Sequence, residues 1–145
     1  MNEKEKKQVP KRREQREMAV RMMFEMKSQQ EERESFVQNY FGSRDLDIED
    51  HRYVASIART YIDHMEEIET MLRENIHGWR IERVGKMEIN IIRVAAVELL
   101  YFDDVPPAVS INEAVEITKK YADEKAYRFV NKVLRNILEA SNIKK

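Results

Sequence analysis

Apolar residues recur at intervals of three and four along most of the chain, the period of a helix that buries one face. Arg13 to Met26 carries Ala19, Val20, Met22, Met23 and Met26 on a broad stripe with Phe24 beside it, and predicts a first helix. Glu32 to Phe41 predicts a short second one, with Phe36, Val37, Tyr40 and Phe41 turned inward and Gly42 as its stop. A long third helix is expected from a cap at Asp47 to about Asn75, through Val54, Ile57, Ala58, Tyr61, Ile62, Met65, Ile68, Met71 and Leu72. Gly78 interrupts the pattern, and Trp79 to Val84 reads as a short helical turn before Gly85. Residues 86–102, with Ile89, Ile91, Ile92, Val94, Ala95, Ala96, Val97, Leu99 and Leu100, are apolar nearly all round, as a central buried helix would be. Pro106 and Pro107 predict an extended connection over residues 103–109, since proline disfavours helix in the residue before it. Ser110-Ile111-Asn112-Glu113 then reads as a capping box opening a helix to about Tyr121. A last helix, Lys125 to Ala140, turns Phe129, Val130, Val133, Leu134, Ile137 and Leu138 inward.

The expected fold is therefore all-α, a single compact helical domain over residues 12–145 preceded by a flexible basic arm, residues 1–11, that is polar and lacks any apolar period. A length of 145 residues suits one domain with its own core. With no cysteine, disulfides and Cys-ligated zinc or redox sites are excluded, and the composition suits a reducing cytoplasm. No run approaches the roughly 20 apolar residues that span a bilayer, and the charged start lacks the apolar stretch of a signal peptide, so the expected localisation is cytoplasmic.

A net charge of −1 conceals a strong division along the chain. Lys4 to Arg16 holds seven basic residues against two acidic ones, residues 44–75 nine acidic against four basic, and residues 119–145 eight basic against three acidic. If the two basic ends meet in the fold, they form a surface suited to a polyanion beside an acidic flank. Lys11, Arg12, Arg13 and Arg16 are the sharpest part of this signal, because guanidinium groups pair bidentately with phosphate and stack on unpaired bases, which favours single-stranded RNA over a duplex groove. A solvated tail would have the same composition, and the sequence alone leaves those two readings open.

Catalytic chemistry has little to stand on. His51, His64 and His77 are thirteen residues apart, on different helix faces and about 20 Å from one another, so they do not share a metal. Three glycines make neither a GxGxxG turn nor a P-loop, no serine sits in a nucleophile elbow, and the carboxylates show no metal or acid/base spacing. No catalytic residue, metal or cofactor is assigned.

Arg16-Glu17-Met18-Ala19-Val20-Arg21-Met22-Met23-Phe24-Glu25 resembles the first helix of the NusB family of transcription antitermination factors. More specific are Ile91 to Leu100, then Asp104-Val105-Pro106-Pro107, Ile111 to Glu116, and Arg128-Phe129-Val130-Asn131, whose order and spacing match that family. The resemblance covers residues 12–139 and implies two small helical bundles and a non-enzymatic role in transcription antitermination, especially of ribosomal RNA operons in bacteria. It also implies boxA RNA as ligand, the small-subunit ribosomal protein NusE as partner, and membership of an antitermination complex on RNA polymerase. By resemblance the RNA contacts fall on Lys11, Arg12, Arg13 and Arg16, with Lys125, Arg128 and Phe129 at the start of the last helix, and the partner contacts on Phe24 and Glu88. The sequence departs from the family pattern at Phe24, usually Tyr, at Ile89, often basic, and at Lys132, usually Gly. Monomer and homodimer are both left open. The rival readings are a helical adaptor that binds only proteins, with RNA affinity that vanishes at modest salt, and an RNA-modifying enzyme or its regulatory domain, for which the sequence supplies no cofactor site.

Overall fold

The computed structural model describes residues 9–26, 32–76 and 84–145, and every regular element among them is helical. In chain order these are α1 (Arg12–Met23), α2 (Arg33–Gly42), a 3-10 turn (Ile48–His51), α3 (Arg52–Asp63), α4 (Met65–Asn75), α5 (Lys86–Tyr101), α6 (Pro107–Tyr121) and α7 (Glu124–Ala140). The expected turn at Trp79 to Val84 lies, but for Val84, outside the described residues, as do the first eight residues of the arm.

Two bundles share one helix. α1, α2 and α3 pack together on one side, and α4, α6 and α7 on the other, while α5 lies against members of both. This follows from its sequence: Ile89, Ile91, Ile92, Val94, Ala95, Ala96, Val97 and Leu99 are all buried, so each side of the helix has an apolar wall to offer. The other helices bury one stripe each, Ala19, Val20, Met22 and Met23 in α1 and Phe129, Val130, Val133, Leu134 and Ile137 in α7.

Several boundaries differ from expectation, the end of α1 at Met23 instead of Met26 among them. The long third helix is broken at His64 (φ −124°, ψ 22°), so that α3 stays on the first bundle and α4 turns onto α7. The His64 ring lies flat on Tyr101, centroids 4.0 Å apart, and its Nδ1 is 3.4 Å from Glu67, contacts that reward the bend at a place where neither Gly nor Pro announces it. The proline connection is shorter than expected: Pro107 occupies the first helical position of α6, where its fixed φ suits the helix and its missing N–H costs nothing. Ser110 therefore lies inside the helix, buried, and the capping box does not form. Asp47 does cap, accepting from the Glu49 amide at 2.9 Å, but it caps the 3-10 turn.

Candidate nucleic-acid interface

At the start of α1 one buried side chain fixes the exit of the arm. Gln15 donates from Nε2 to the Pro10 carbonyl (2.9 Å), while its Oε1 accepts from the amides of Tyr53 (3.1 Å) and Val54 (3.4 Å) in the first turn of α3. An amide side chain can donate and accept at once, so Gln15 ties the arm to a second helix without leaving a polar atom unmet. Lys11, Arg12 and Arg13 follow immediately and are exposed.

Their surroundings differ. Arg12 sits over the Tyr53 ring, 3.9 Å from its centroid, a cation–π contact that holds the guanidinium at the surface. Arg13 makes a bidentate pair with Glu113 of α6, at 2.7 and 3.0 Å, with half of its side chain still open to solvent. Hydrogen bonds from Arg13 hold the Glu113 carboxyl below its ordinary value of 4.5. A depressed folded pKa means that this pair stabilises the fold in full above the ordinary carboxylate range and is lost as pH falls through the folded value. Glu113→Gln is thus expected to lower stability modestly at neutral pH and to match the parent in acid, read from urea unfolding at a series of pH values; a difference that stayed constant into acid would assign the effect to something other than the pair.

Arg16 is placed otherwise than the sequence suggested. It is 5% exposed and faces inward, its Nε 3.0 Å from both oxygens of Glu98 and its Nη2 2.8 Å from Oε2, and Glu98 is 1% exposed in the middle of α5. The Tyr53 hydroxyl also donates to Glu98. Burial opposes the Arg16 charge, yet the hydrogen bonds and charge of Glu98 outweigh it and hold the guanidinium protonated. Burial, with the adjacent Glu98 charge, raises the Tyr53 hydroxyl well above its ordinary value of 10. Arg16 therefore joins α1 to α5 from inside and presents no guanidinium to a surface ligand. Sequence reasoning does not reach Gln15, Tyr53, Glu98 and Glu113 as supports for the basic cluster; the one visible signal is Glu98, the only carboxylate in the largely apolar run Ile91–Leu100.

Lys125 and Arg128 are exposed in the first turns of α7, whose start is capped by Asp123 accepting from the Ala126 amide at 3.0 Å. Phe129, on the same turn, is buried at 6% exposure and belongs to the core. The two basic regions do not coincide. Lys125 and Phe129 line a depression with Val84, Gly85 and Glu88 at the start of α5, whereas Lys11 to Arg13 stand at the opposite end of α1 from Phe24, a helix length of about 18 Å. Between them Glu17 binds Lys120 (2.6 Å) and the Tyr121 hydroxyl (3.1 Å), so α1 and the end of α6 are fastened side by side.

Phe24 is 46% exposed, a large apolar surface for an aromatic side chain, and lines a second depression with Met23, Val84, Lys86, Ile89, Asn90 and Arg93. The two depressions share Val84, which brings Phe24 and Glu88 onto neighbouring ground. Glu88 folds back over the first residue before α5, and a Cβ added at Gly85 would meet its Oε2 at 2.1 Å, so that glycine makes room for the carboxylate. Lys132, at the position where the family pattern has Gly, is exposed. His51 packs against Phe41 and His64 against Tyr101, and His77 lies outside the described residues. Among the described residues no group of three His, Asp or Glu could hold a metal, and no helix is long and apolar enough to cross a membrane.

Comparison with known proteins gives a consistent result. A family model described as the NusB family matches residues 13–139. The chain is 34% identical over 133 residues to the transcription antitermination protein NusB of Clostridium acetobutylicum, covering 92% of this chain and 98% of that protein. It is 36% identical over 126 residues to the NusB of Clostridium botulinum, covering 86% and 95%. The solved structure of T. maritima NusB superposes with a TM-score of 0.73 at 25% identity, covering 90% of this chain and 92% of that one, and the solution structure of NusB from Aquifex aeolicus with 0.70 at 28%, covering 92% and 93%.

Proposed function

The chain belongs to the NusB family, and from that membership we propose that it is a cytoplasmic transcription antitermination factor that binds boxA RNA together with NusE and acts without catalysis. The family is one of antitermination proteins and not of enzymes. The observation that carries the RNA reading is the start of α1, where Lys11, Arg12 and Arg13 stand exposed on a backbone tied down by Gln15, with Arg12 already seated on Tyr53. Ordering these groups in advance lowers the entropic cost of gripping phosphate. Lys125 and Arg128 add a second, separate cationic patch at the start of α7, and Phe129 supports that turn from the core. Arg16 acts indirectly, by holding α1 to α5 beneath the exposed cluster.

For NusE, the supporting surface is the ground around Phe24 and Glu88: an exposed aromatic ring beside a carboxylate and two shallow depressions, an apolar anchor with a polar rim. Arg13 is engaged by Glu113, but the pair is partly exposed and worth little, so a phosphate can replace the carboxylate. As part of an antitermination complex on RNA polymerase, the protein would deliver RNA and NusE together.

The test is fluorescence anisotropy of labelled boxA RNA and a scrambled control near ~0.15 M salt, with and without NusE. Tighter binding to boxA, strengthened by NusE, is expected. Equal weak binding to both RNAs that ignores NusE would overturn the reading in favour of a protein-only adaptor.

A further inference from the structure

The exposed face of α7 carries cations well beyond its first turn. Lys125, Arg128, Lys132 and Arg135 follow one another at intervals of three, four and three, and all four are exposed. At 100° per residue they fall within about 80° of arc, on the side of the helix away from Phe129, Val130, Val133, Leu134 and Ile137. Their Cα positions span about 15 Å along the axis, the length of several nucleotides of a strand. Ion pairing among the described residues engages Arg128 alone of the four, with Glu124 on the preceding turn, while Arg135 donates to the Asn131 side chain at 3.3 Å. Glu124 and Glu139 bracket the stripe at its two ends.

We propose that this stripe is a phosphate track for single-stranded RNA, with Lys132 and Arg135 as binding residues that lengthen the footprint of the RNA along α7. The inference rests on the RNA-binding reading above and deepens it. Two observations point to RNA and not to an acidic protein. The stripe continues the cations at the start of α7, so one strand can run from Lys125 onward without leaving the helix. It also has no apolar centre: the large hydrophobic residues exposed on the described chain are Val9, Phe24, Val109 and Tyr121, none of them on α7, whereas a protein interface gathers its energy around buried aromatic or aliphatic anchors. Lys132 stands where the family pattern has Gly, so the extended track is a property of this chain.

The test compares the parent with Lys132→Gln/Arg135→Gln, using boxA RNA with and without a flanking single-stranded extension, across a salt series. Losing two phosphate contacts should lower affinity for the extended RNA about tenfold near ~0.15 M salt and flatten the log–log salt dependence by about 1.4. The change should be smaller for the short RNA. Both positions are exposed, so circular dichroism and melting temperature should not move. If the variant bound extended RNA with the parent's affinity and slope, while a Lys11, Arg12 and Arg13 variant lost affinity, the track would be overturned and the RNA-binding reading kept. If the parent bound neither RNA, both would fall together. Loss of binding to a protein partner, with RNA affinity unchanged, would reassign the stripe and overturn the proposal.

Discussion

Glu98→Ala is expected to destabilise the protein by about 3–5 kcal/mol, because it leaves the Arg16 guanidinium buried between α1 and α5 with no counter-charge. The Tyr53 hydroxyl loses its acceptor in the same step. A domain of this size has about 5–15 kcal/mol in total, so the variant should unfold at much lower urea and melt at least 10 °C or so below the parent. Removing all three polar partners together, as Arg16→Met, Glu98→Leu and Tyr53→Phe, should recover most of the loss, since apolar side chains of similar volume bury without an unpaired charge. Urea unfolding followed by far-UV circular dichroism measures both. A single variant within about 1 kcal/mol of the parent would mean that the pair behaves as a solvated one, contrary to its burial.

The largest effect on binding is expected from Lys11→Gln, Arg12→Gln and Arg13→Gln combined. If each cation meets one phosphate, the salt dependence of boxA binding should flatten by about 2 and affinity near ~0.15 M salt should fall roughly fiftyfold. Stability should change little, because Arg13–Glu113 is a partly exposed pair and the Arg12–Tyr53 contact is worth about 0.5–1 kcal/mol at an exposed site. The design leaves Arg16 alone on purpose. A substitution there would weaken RNA binding by loosening α1, and the loss could not be told from a lost phosphate contact. Anisotropy on a variant with the parent's melting temperature reads the surface alone; parent-like affinity and slope would remove the start of α1 from the RNA site.

Arg16 also marks the limit of what the chain discloses by pattern. Helical periods located seven of the elements' cores to within a few residues, because burial of one stripe is a local property of spacing. The bend at His64 escaped that reasoning, since the apolar period runs through it unbroken and the reward for bending comes from Tyr101, thirty-seven residues away. Ser110 and Glu113 satisfied a local capping pattern, but Pro107 started the helix earlier and freed Glu113 to meet Arg13. In the basic cluster, charge alone did not separate Arg12 and Arg13 from Arg16. What separates them is that a carboxylate eighty-two residues on lies in the core beneath Arg16. A run of arginines reports a total charge, and the fold decides which members face water.

The shared position of α5 bears on how the molecule comes apart. Each bundle uses one wall of the same helix, and neither keeps a closed apolar interior once that helix leaves. The two bundles are not independent folding units, because melting either one exposes the other's wall to water. Local opening is then expected in the outer helices, and the amide protons of α5 should be the slowest to exchange among the described residues, as hydrogen exchange would measure. The basic start of α1 and the stripe on α7 lie on opposite partners of that helix, so a lesion in either bundle is expected to reach both surfaces through a single cooperative transition.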